Sequence, residues 1–146
     1  MTTQERLDHI VFYSLEKSIK SYRTYAQRKL TEQGFNITID QWMVLKALND
    51  HPDCSQHEIA EVTFKDHASL TRIIELLVKK SYLERKMHST DRRRFQLTLT
   101  AEANKLLSVM QPVIEANRAK ALEGFTRQRI TDLQEMLSMI INNCQQ

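Results

Sequence analysis

The residues best suited to chemistry are three adjacent arginines, Arg92, Arg93 and Arg94, which follow Asp91. Their positive charges repel one another, so the cluster needs either solvent on all sides or a strongly negative partner. The segment 65–94 carries nine lysines and arginines against four acidic residues, a net charge of +5, whereas the whole chain carries only +3. Positive charge gathered in one segment is typical of a protein that binds a polyanion. We expect Asp91 to form an ion pair that orients one guanidinium and leaves the others pointing outward.

Two short helices joined by a tight turn are predicted just before the arginines. Ser55 and Glu58 have the spacing of a capping box, which predicts a helix over about residues 55–63. Asp66 can cap a second helix three residues later. The apolar residues expected to face inward are Ile59, Ala60 and Val62 in the first helix and Leu70, Ile73, Ile74, Leu77 and Val78 in the second. The pair is a helix-turn-helix candidate, although its turn, TFK, lacks the usual glycine.

The polar residues of this pair are suited to contact DNA. If the second helix enters the major groove, its first residues meet base edges, and short hydrogen-bonding or basic side chains can read or hold DNA there. The candidates are Ser55, Gln56, Lys65, Asp66, His67, Ser69, Thr71, Arg72 and Lys79. The alternative is a solvated helix face on which Asp66 and Ser69 only cap the helix.

A β-hairpin is predicted directly after the two helices. YLERK (82–86) and RRFQLTLT (93–100) have the character of two short strands, joined by a turn at MHSTD. The tip, roughly residues 88–94, would protrude as a wing. Its arginines suit the minor groove, where narrow A·T-rich segments concentrate negative potential. We expect Arg92 or Arg93 to enter the groove, since Arg94 begins the alternating strand; the alternative is a solvated turn.

The remaining chain is predicted to be helical. An apolar stripe from Leu7 to Leu30 predicts a long first helix that stops at Gly34, and Thr38 with Gln41 forms a capping box for the next. Thr100 caps a fifth helix that Pro112 should kink, a break falls at Gly124 and Thr126, and a last helix reaches Cys144. The fold class is therefore mainly α with a small β-hairpin wing. The expected regions are an N-terminal dimerisation helix (1–37), a winged helix-turn-helix (38–100) and C-terminal dimerisation helices (101–146), all within one structural domain.

The terminal helices predict a homodimer. The first, fifth and sixth helices carry apolar stripes, but the central unit leaves them little of their own chain on which to bury those stripes. Two ends of one chain with unburied stripes are typical of a symmetric dimer. The alternative is a monomeric bundle in which these helices cover one another.

The composition narrows the classes of function. The chain has 146 residues, 41% of them hydrophobic and 27% charged, as expected for one globular domain. No long apolar run and no secretory leader are present, so we expect a cytoplasmic protein without membrane association. No phosphate-binding loop, nucleophile elbow or pair of catalytic carboxylates is evident, so we expect neither an enzyme nor a bound cofactor.

The run from SQHEIAEV to LTLTAEA (55–103) resembles the MarR (multiple antibiotic resistance regulator) family of bacterial transcription factors. The resemblance rests on LTR at 70–72, LER at 83–85 and DRR at 91–93 with LT after it, and it extends over the whole chain. It implies a winged-helix homodimer that binds a pseudo-palindromic DNA operator, usually as a repressor. The family commonly has glycine where this chain has Ser81 and Ala103, and the first of these positions usually needs a left-handed turn.

The resemblance also implies release from DNA by a small, often aromatic and anionic, effector. Thr71 and Arg85 would hold a carboxylate, and the apolar side of the site would be formed by Tyr13, Tyr22, Trp42 and Phe64. The alternative is that the aromatic residues belong to the core and that Arg85 contacts DNA or an acidic neighbour.

The stretch DHPDCSQH (50–57) contains metal-ligand residue types, and a metal- or thiol-sensing regulator of the same fold stays an alternative. The spacing is not that of a standard zinc site and the capping box explains it more simply, so we expect no metal. Cys54 lies just ahead of a helix N-terminus, which should favour its thiolate, whereas Cys144 is expected to pack between helices. A second class of function is a winged-helix module that binds protein instead of DNA.

Overall fold

The computed structural model describes residues 4–87, 90, 91, 93 and 95–146. After a 3-10 turn at Leu7–His9, the helices are α1 (Val11–Glu32), α2 (Ile39–Asp50), α3 (Gln56–Thr63) and α4 (His67–Lys79). An antiparallel hairpin of β1 (Leu83–Met87) and β2 (Phe95–Leu99) follows, and then α5 (Ala101–Ala121) and α6 (Arg127–Cys144). This element order confirms the predicted mainly helical fold with a two-stranded wing. Among the described residues, no helix is both long and apolar enough to span a membrane.

Local side-chain chemistry sets the helix boundaries. Thr38 and Ser55 each form a complete capping box, with Gln41 and Glu58 respectively. Asp66, Thr100 and Thr126 cap α4, α5 and α6, each accepting a hydrogen bond from the backbone N–H three residues later. The sequence predicted the caps of α2 to α5, and it placed the start of α6 at the break around Gly124 and Thr126. These caps could be predicted because a polar side chain at the N-cap satisfies a backbone N–H that has no partner within the helix.

The core lies where α2, α3, α4, the hairpin and the first half of α5 meet. Its fully buried members include Leu45, Ile59, Leu70, Ile74, Leu77, Leu83 and Met110. One predicted member is wrong: Val62 is 52% exposed, and the inward position is taken by buried Thr63, whose hydroxyl donates to the Ile59 carbonyl. Successive helix residues are separated by about 100°, so Ala60 and Val62 lie about 200° apart and cannot both face the core.

The terminal helices are far less buried than the centre. The first helix begins at Val11, not at Leu7, because Ile10 is extended, and only Ala26 and Leu30 of α1 are buried. No residue of α6 is buried. α5 continues through Pro112, and a kink there stays a prediction. The apolar stripes at both ends of the chain are therefore still exposed in the single subunit.

Candidate nucleic-acid interface and neighbouring cavity

The turn between α3 and α4 forms without glycine. Phe64 takes the left-handed conformation (φ 59°, ψ 36°) that glycine usually adopts there. The Lys65 amide donates to the Ala60 carbonyl and the Phe64 amide to the Glu61 carbonyl, which is the bond pattern of a Schellman motif. This turn places Asp66 at the start of α4, where its carboxylate accepts from the Ser69 amide at 2.7 Å.

Several polar residues at the start of α4 make bonds within the helix. The Asp66 carboxyl has a lowered pKa, chiefly because it accepts the Ser69 backbone N–H. The Thr71 hydroxyl donates to the His67 carbonyl at 2.9 Å, and Arg72 reaches the Ser69 hydroxyl at 3.4 Å. His67 and Arg72 are exposed, as is Lys79 at the far end of the helix. The exposed positions of α4 therefore include the basic residues Arg72 and Lys79, with Glu75 between them, and polar and basic side chains of this kind can contact DNA in the major groove.

The two candidates on α3 are less accessible. Ser55 is partly buried, and its hydroxyl accepts the Glu58 amide at 3.1 Å. Gln56, the first residue of α3, is also partly buried.

Lys65 is held within the subunit. Its Nζ atom lies 2.9 Å from Oδ2 of Asp40 at the start of α2, and Arg23 of α1 binds Oδ1 of the same carboxylate. Burial works to raise the pKa of the Asp40 carboxyl, but Lys65 and Arg23 together hold it below its usual value. We name this cluster of Arg23, Asp40 and Lys65 the carboxylate bridge. It ties α1 and α2 to the residue just before the cap of α4.

The hairpin is anchored at its base and projects at its tip. Leu83 pairs with Leu99 and packs into the core, whereas Met87 and Phe95 at the other end are 62% and 73% exposed. In the tip, Asp91 accepts the Arg93 backbone N–H at 3.0 Å, and Arg93 is exposed. Arg92 and Arg94 lie outside the described residues. The ion pair between Asp91 and a wing arginine therefore stays a prediction.

Ser81 occupies the glycine position ahead of the wing and does adopt the left-handed conformation, with φ 67°. Its amide donates to the Val78 carbonyl, and its own carbonyl accepts the Thr100 hydroxyl at 2.7 Å. Ser81 therefore forms the left-handed connection from α4 to β1 that glycine usually forms, and the hydrogen bond from Thr100 at the start of α5 stabilises it.

A cavity of about 290 Å³ lies between α1, α2, α5 and the α3–α4 turn. The six predicted effector residues do not all meet there: Tyr22, Trp42 and Phe64 line it, but Tyr13, Thr71 and Arg85 do not. Tyr13 lines a separate open groove along α1, and Arg85 is exposed on β1. The polar residues that do line the cavity are Arg23, Asn117 and Arg118.

The sequence analysis did not identify these three polar residues, although the position of Asn117 in the sequence could have indicated it. Asn117 continues the buried positions Met110 and Ile114 of α5 at spacings of four and three. A polar residue on a core-facing stripe marks a place where the helix does not meet an ordinary apolar neighbour.

The prediction for Cys54 is wrong. Burial, followed by the charge of Glu58, raises the pKa of its thiol above the usual value. The capping box brings the Glu58 carboxylate back to the Ser55 amide at 3.2 Å, so a negative charge sits where the helix N-terminus would otherwise favour a thiolate. Cys144 is exposed in the single subunit. Within the described ranges, no three His, Cys, Asp or Glu side chains are grouped to hold a metal.

The sequence of residues 34–94 matches the model of the MarR family. The fold is similar to that of a MarR/EmrR family transcriptional regulator from Acinetobacter sp. ADP1 (TM-score 0.86, 23% identity, covering 97% of this chain and 99% of that one). It is also similar to BpsR of Bordetella bronchiseptica, whose DNA binding is regulated by 6-hydroxynicotinic acid (TM-score 0.85, 22% identity, 94% and 97% covered). A third similar structure is CouR of Rhodococcus jostii RHA1 bound to p-coumaroyl-CoA (TM-score 0.81, 16% identity, 94% and 95% covered). The family match over the helix-turn-helix and wing segment, together with the similar folds, supports a MarR family winged-helix transcriptional regulator.

Proposed function

We propose that this regulator is a cytoplasmic repressor that binds a pseudo-palindromic operator as a homodimer. The observation that carries the proposal is the pairing of exposed Arg72 and Lys79 on α4 with a projecting wing, in which Asp91 accepts the backbone N–H of exposed Arg93. α4 enters the major groove and a wing arginine enters the adjacent minor groove. The contacts come from the residues predicted above, with Ser55, Asp66 and Lys65 acting mainly by positioning α4.

The unburied terminal helices support the dimer. Leu7, Val11 and Ile19 at the start of the chain are each more than half exposed, and so are Met136, Met139 and Ile141 of α6. Apolar surface on two terminal helices is stabilised when a second copy covers it, and a two-fold dimer buries both ends at once. Residues 1–37 and 101–146 then form the dimerisation regions around the DNA-binding region 38–100.

The oligomeric state is tested by sedimentation equilibrium. We expect the mass of two 17.2 kDa chains for the wild type, and dissociation for Ile141→Asp, because a charge on this exposed apolar surface of α6 opposes its burial. A wild type that stays monomeric at micromolar concentration would contradict the dimer.

DNA binding is tested by fluorescence anisotropy on the DNA upstream of the protein's own gene, titrated at several salt concentrations. We expect affinity to fall steeply with salt. Arg93→Ala should reduce the slope of log K against log salt by about 0.9 for each phosphate that its guanidinium neutralises, hence by about 1.8 for two wings. Lys120→Ala removes an equal charge beside Glu123 at the end of α5 and serves as the matched control. Salt-independent or absent binding by a folded dimer would instead favour a protein-interaction module.

Effector response forms the second part of the proposal. A small aromatic or anionic ligand releases the dimer from DNA by binding the cavity between α1, α2 and α5. The cavity supports this because it is mostly apolar and is also lined by three polar residues. The carboxylate bridge runs from this cavity, through Arg23 and Asp40, to Lys65, the residue before the cap of α4. A reporter gene behind the upstream DNA distinguishes repression, in which deletion of the regulator raises expression, from activation.

A further inference from the structure

The short connection between α1 and α2 is held by side chains from both helices. From α1, the Gln27 side chain accepts the Ile39 amide at 3.0 Å and donates to the Ile37 carbonyl at 3.3 Å. From α2, the buried Gln41 side chain accepts the Thr38 amide at 3.1 Å. Side-chain bonds to successive backbone groups fix the path of a connection that water would otherwise solvate.

Lys80, the C-cap residue of α4, reaches the same connection from 44 positions away. Its Nζ atom donates to the Asn36 carbonyl at 2.8 Å and to Oε1 of Gln41 at 3.3 Å. A cationic donor forms stronger hydrogen bonds than a neutral one. Lys80 is partly buried by this arrangement, whereas its neighbour Lys79 is exposed. The two adjacent lysines are therefore in different environments.

These bonds relate two helices that share almost no packing surface. α4 packs against α2, α3 and β1, whereas α1 packs against α5 and α2, so α1 and α4 are related mainly through α2 and the connection. The carboxylate bridge attaches Lys65, just before α4, and Lys80 attaches the other end of the helix. The 13 residues between them span about 20 Å. One attachment leaves a helix free to pivot, but attachment at both ends fixes its direction.

We propose that Lys80 is a positioning residue for DNA recognition, which fixes the direction of α4 relative to α1 through the connection that Gln27 and Gln41 also hold. It acts without contacting DNA, because its Nζ atom is directed into the subunit. Direction matters because the first residues of α4 must reach base edges when the helix lies in the major groove. The proposal rests on the proposed DNA binding and adds three residues that are not among the predicted contacts.

The direction of α4 can be measured without DNA. Spin labels are attached to Lys20→Cys on α1 and Glu75→Cys on α4, both at exposed positions, in a chain whose two native cysteines are replaced by alanine. Excess unlabelled chain suppresses pairs between subunits. Double electron–electron resonance should give one narrow distance for this chain, and Lys80→Met or Gln27→Met should broaden the distribution about twofold or shift it.

The effect on DNA is measured by fluorescence anisotropy on the upstream DNA, under conditions in which circular dichroism shows each variant folded. Lys80→Met should weaken binding about tenfold, as loss of one base contact does, without changing the slope of log K against log salt. Lys79→Met should reduce that slope by about 0.9 for each phosphate that its ammonium neutralises. Lys120→Met, which removes an equal charge at the end of α5, is the control and should change neither distance nor affinity.

A double variant tests whether Gln27 and Lys80 act through one connection. If they act independently, Gln27→Met with Lys80→Met should weaken DNA binding about a hundredfold, as the product of two tenfold losses. If both hold the same connection, the second substitution removes an attachment that the first has already released. We therefore expect a loss of about tenfold for the double variant, no greater than that for either single variant.

The outcomes separate this proposal from the proposed function. An unchanged label distance in Lys80→Met would overturn the positioning role, whether or not the protein binds DNA. A reduced salt slope for Lys80→Met would also overturn it, because Lys80 would then contact phosphate. A hundredfold loss in the double variant would overturn the shared connection. A broadened distance in a protein that does not bind its upstream DNA supports the attachment of α4 by Lys80 and refutes only the proposed function.

Discussion

The substitution Asp40→Asn tests whether the carboxylate bridge holds α1 and α2 against the start of α4. It keeps the size of the side chain but removes the negative charge shared by Lys65 and Arg23. The Asp40 and Lys65 side chains are 30% and 29% exposed, between the solvent-exposed and buried extremes. Exposed ion pairs contribute roughly 0.2–1 kcal/mol each and loss of a partner from a buried pair costs about 3–5 kcal/mol, so we expect a loss of about 1–2 kcal/mol at pH 7.

The same variant gives a pH test with a defined sign. The Asp40 carboxyl has a lowered pKa in the folded protein, so its contribution to stability is complete above the usual value of 3.8 and is lost as the pH falls through the lower, folded value. The difference in the free energy of unfolding between wild type and Asp40→Asn should therefore shrink between pH 7 and pH 3. Other acids titrate equally in both proteins and cancel in the comparison.

The assay is urea unfolding followed by circular dichroism at the two pH values. Asp50→Asn is the control, since it removes only an exposed pair with Lys46 and should cost less than about 0.5 kcal/mol. DNA affinity should fall only for Asp40→Asn, because Lys65 immediately precedes the cap of α4. A variant as stable as the wild type at pH 7, or a difference that persists undiminished at pH 3, would refute the reasoning.

Three further predictions concern the turn at Ser81, the cap of α5 and the cysteines. Ser81→Gly should raise the free energy of unfolding in urea by about 0.5 kcal/mol. Glycine relieves the left-handed strain at this position, worth about 1–2 kcal/mol, and this gain exceeds the added entropy of the unfolded chain. A lower urea midpoint for the variant would argue against strain at Ser81. Thr100→Ala should cost about 1–2 kcal/mol, since it removes both the cap on the Ala103 amide and the bond to the Ser81 carbonyl, whereas Thr100→Ser should retain most of both. Cys54 should react with iodoacetamide at pH 8 more slowly than a free thiol, because the pKa of its thiol is raised. Mass spectrometry of the folded protein maps the modified cysteine, and rapid modification of Cys54 would contradict this.

Much of the fold could be predicted because it depends on residues that are close in sequence. Capping boxes join residues three apart, and the hairpin pairs neighbouring strands. Each of these signals is local, so the side chains that set the helix boundaries can be identified without knowing the rest of the structure. The wing motif at 91–93, together with the helix-turn-helix ahead of it, likewise pointed to the family.

What only the tertiary structure decided is which polar groups meet across elements. Asp40 binds Arg23 and Lys65, which lie 17 and 25 positions away along the chain, so no local spacing marks the carboxylate bridge. The cavity is lined by Asn117 and Arg118, instead of Thr71 and Arg85, because α5 packs against α1 and brings that face of α5 to the aromatic residues. Sequence periodicity predicts which face of a helix is apolar, but only the packing of the helices determines which faces contact one another. Those contacts decide which side chains line a cavity and therefore its chemistry.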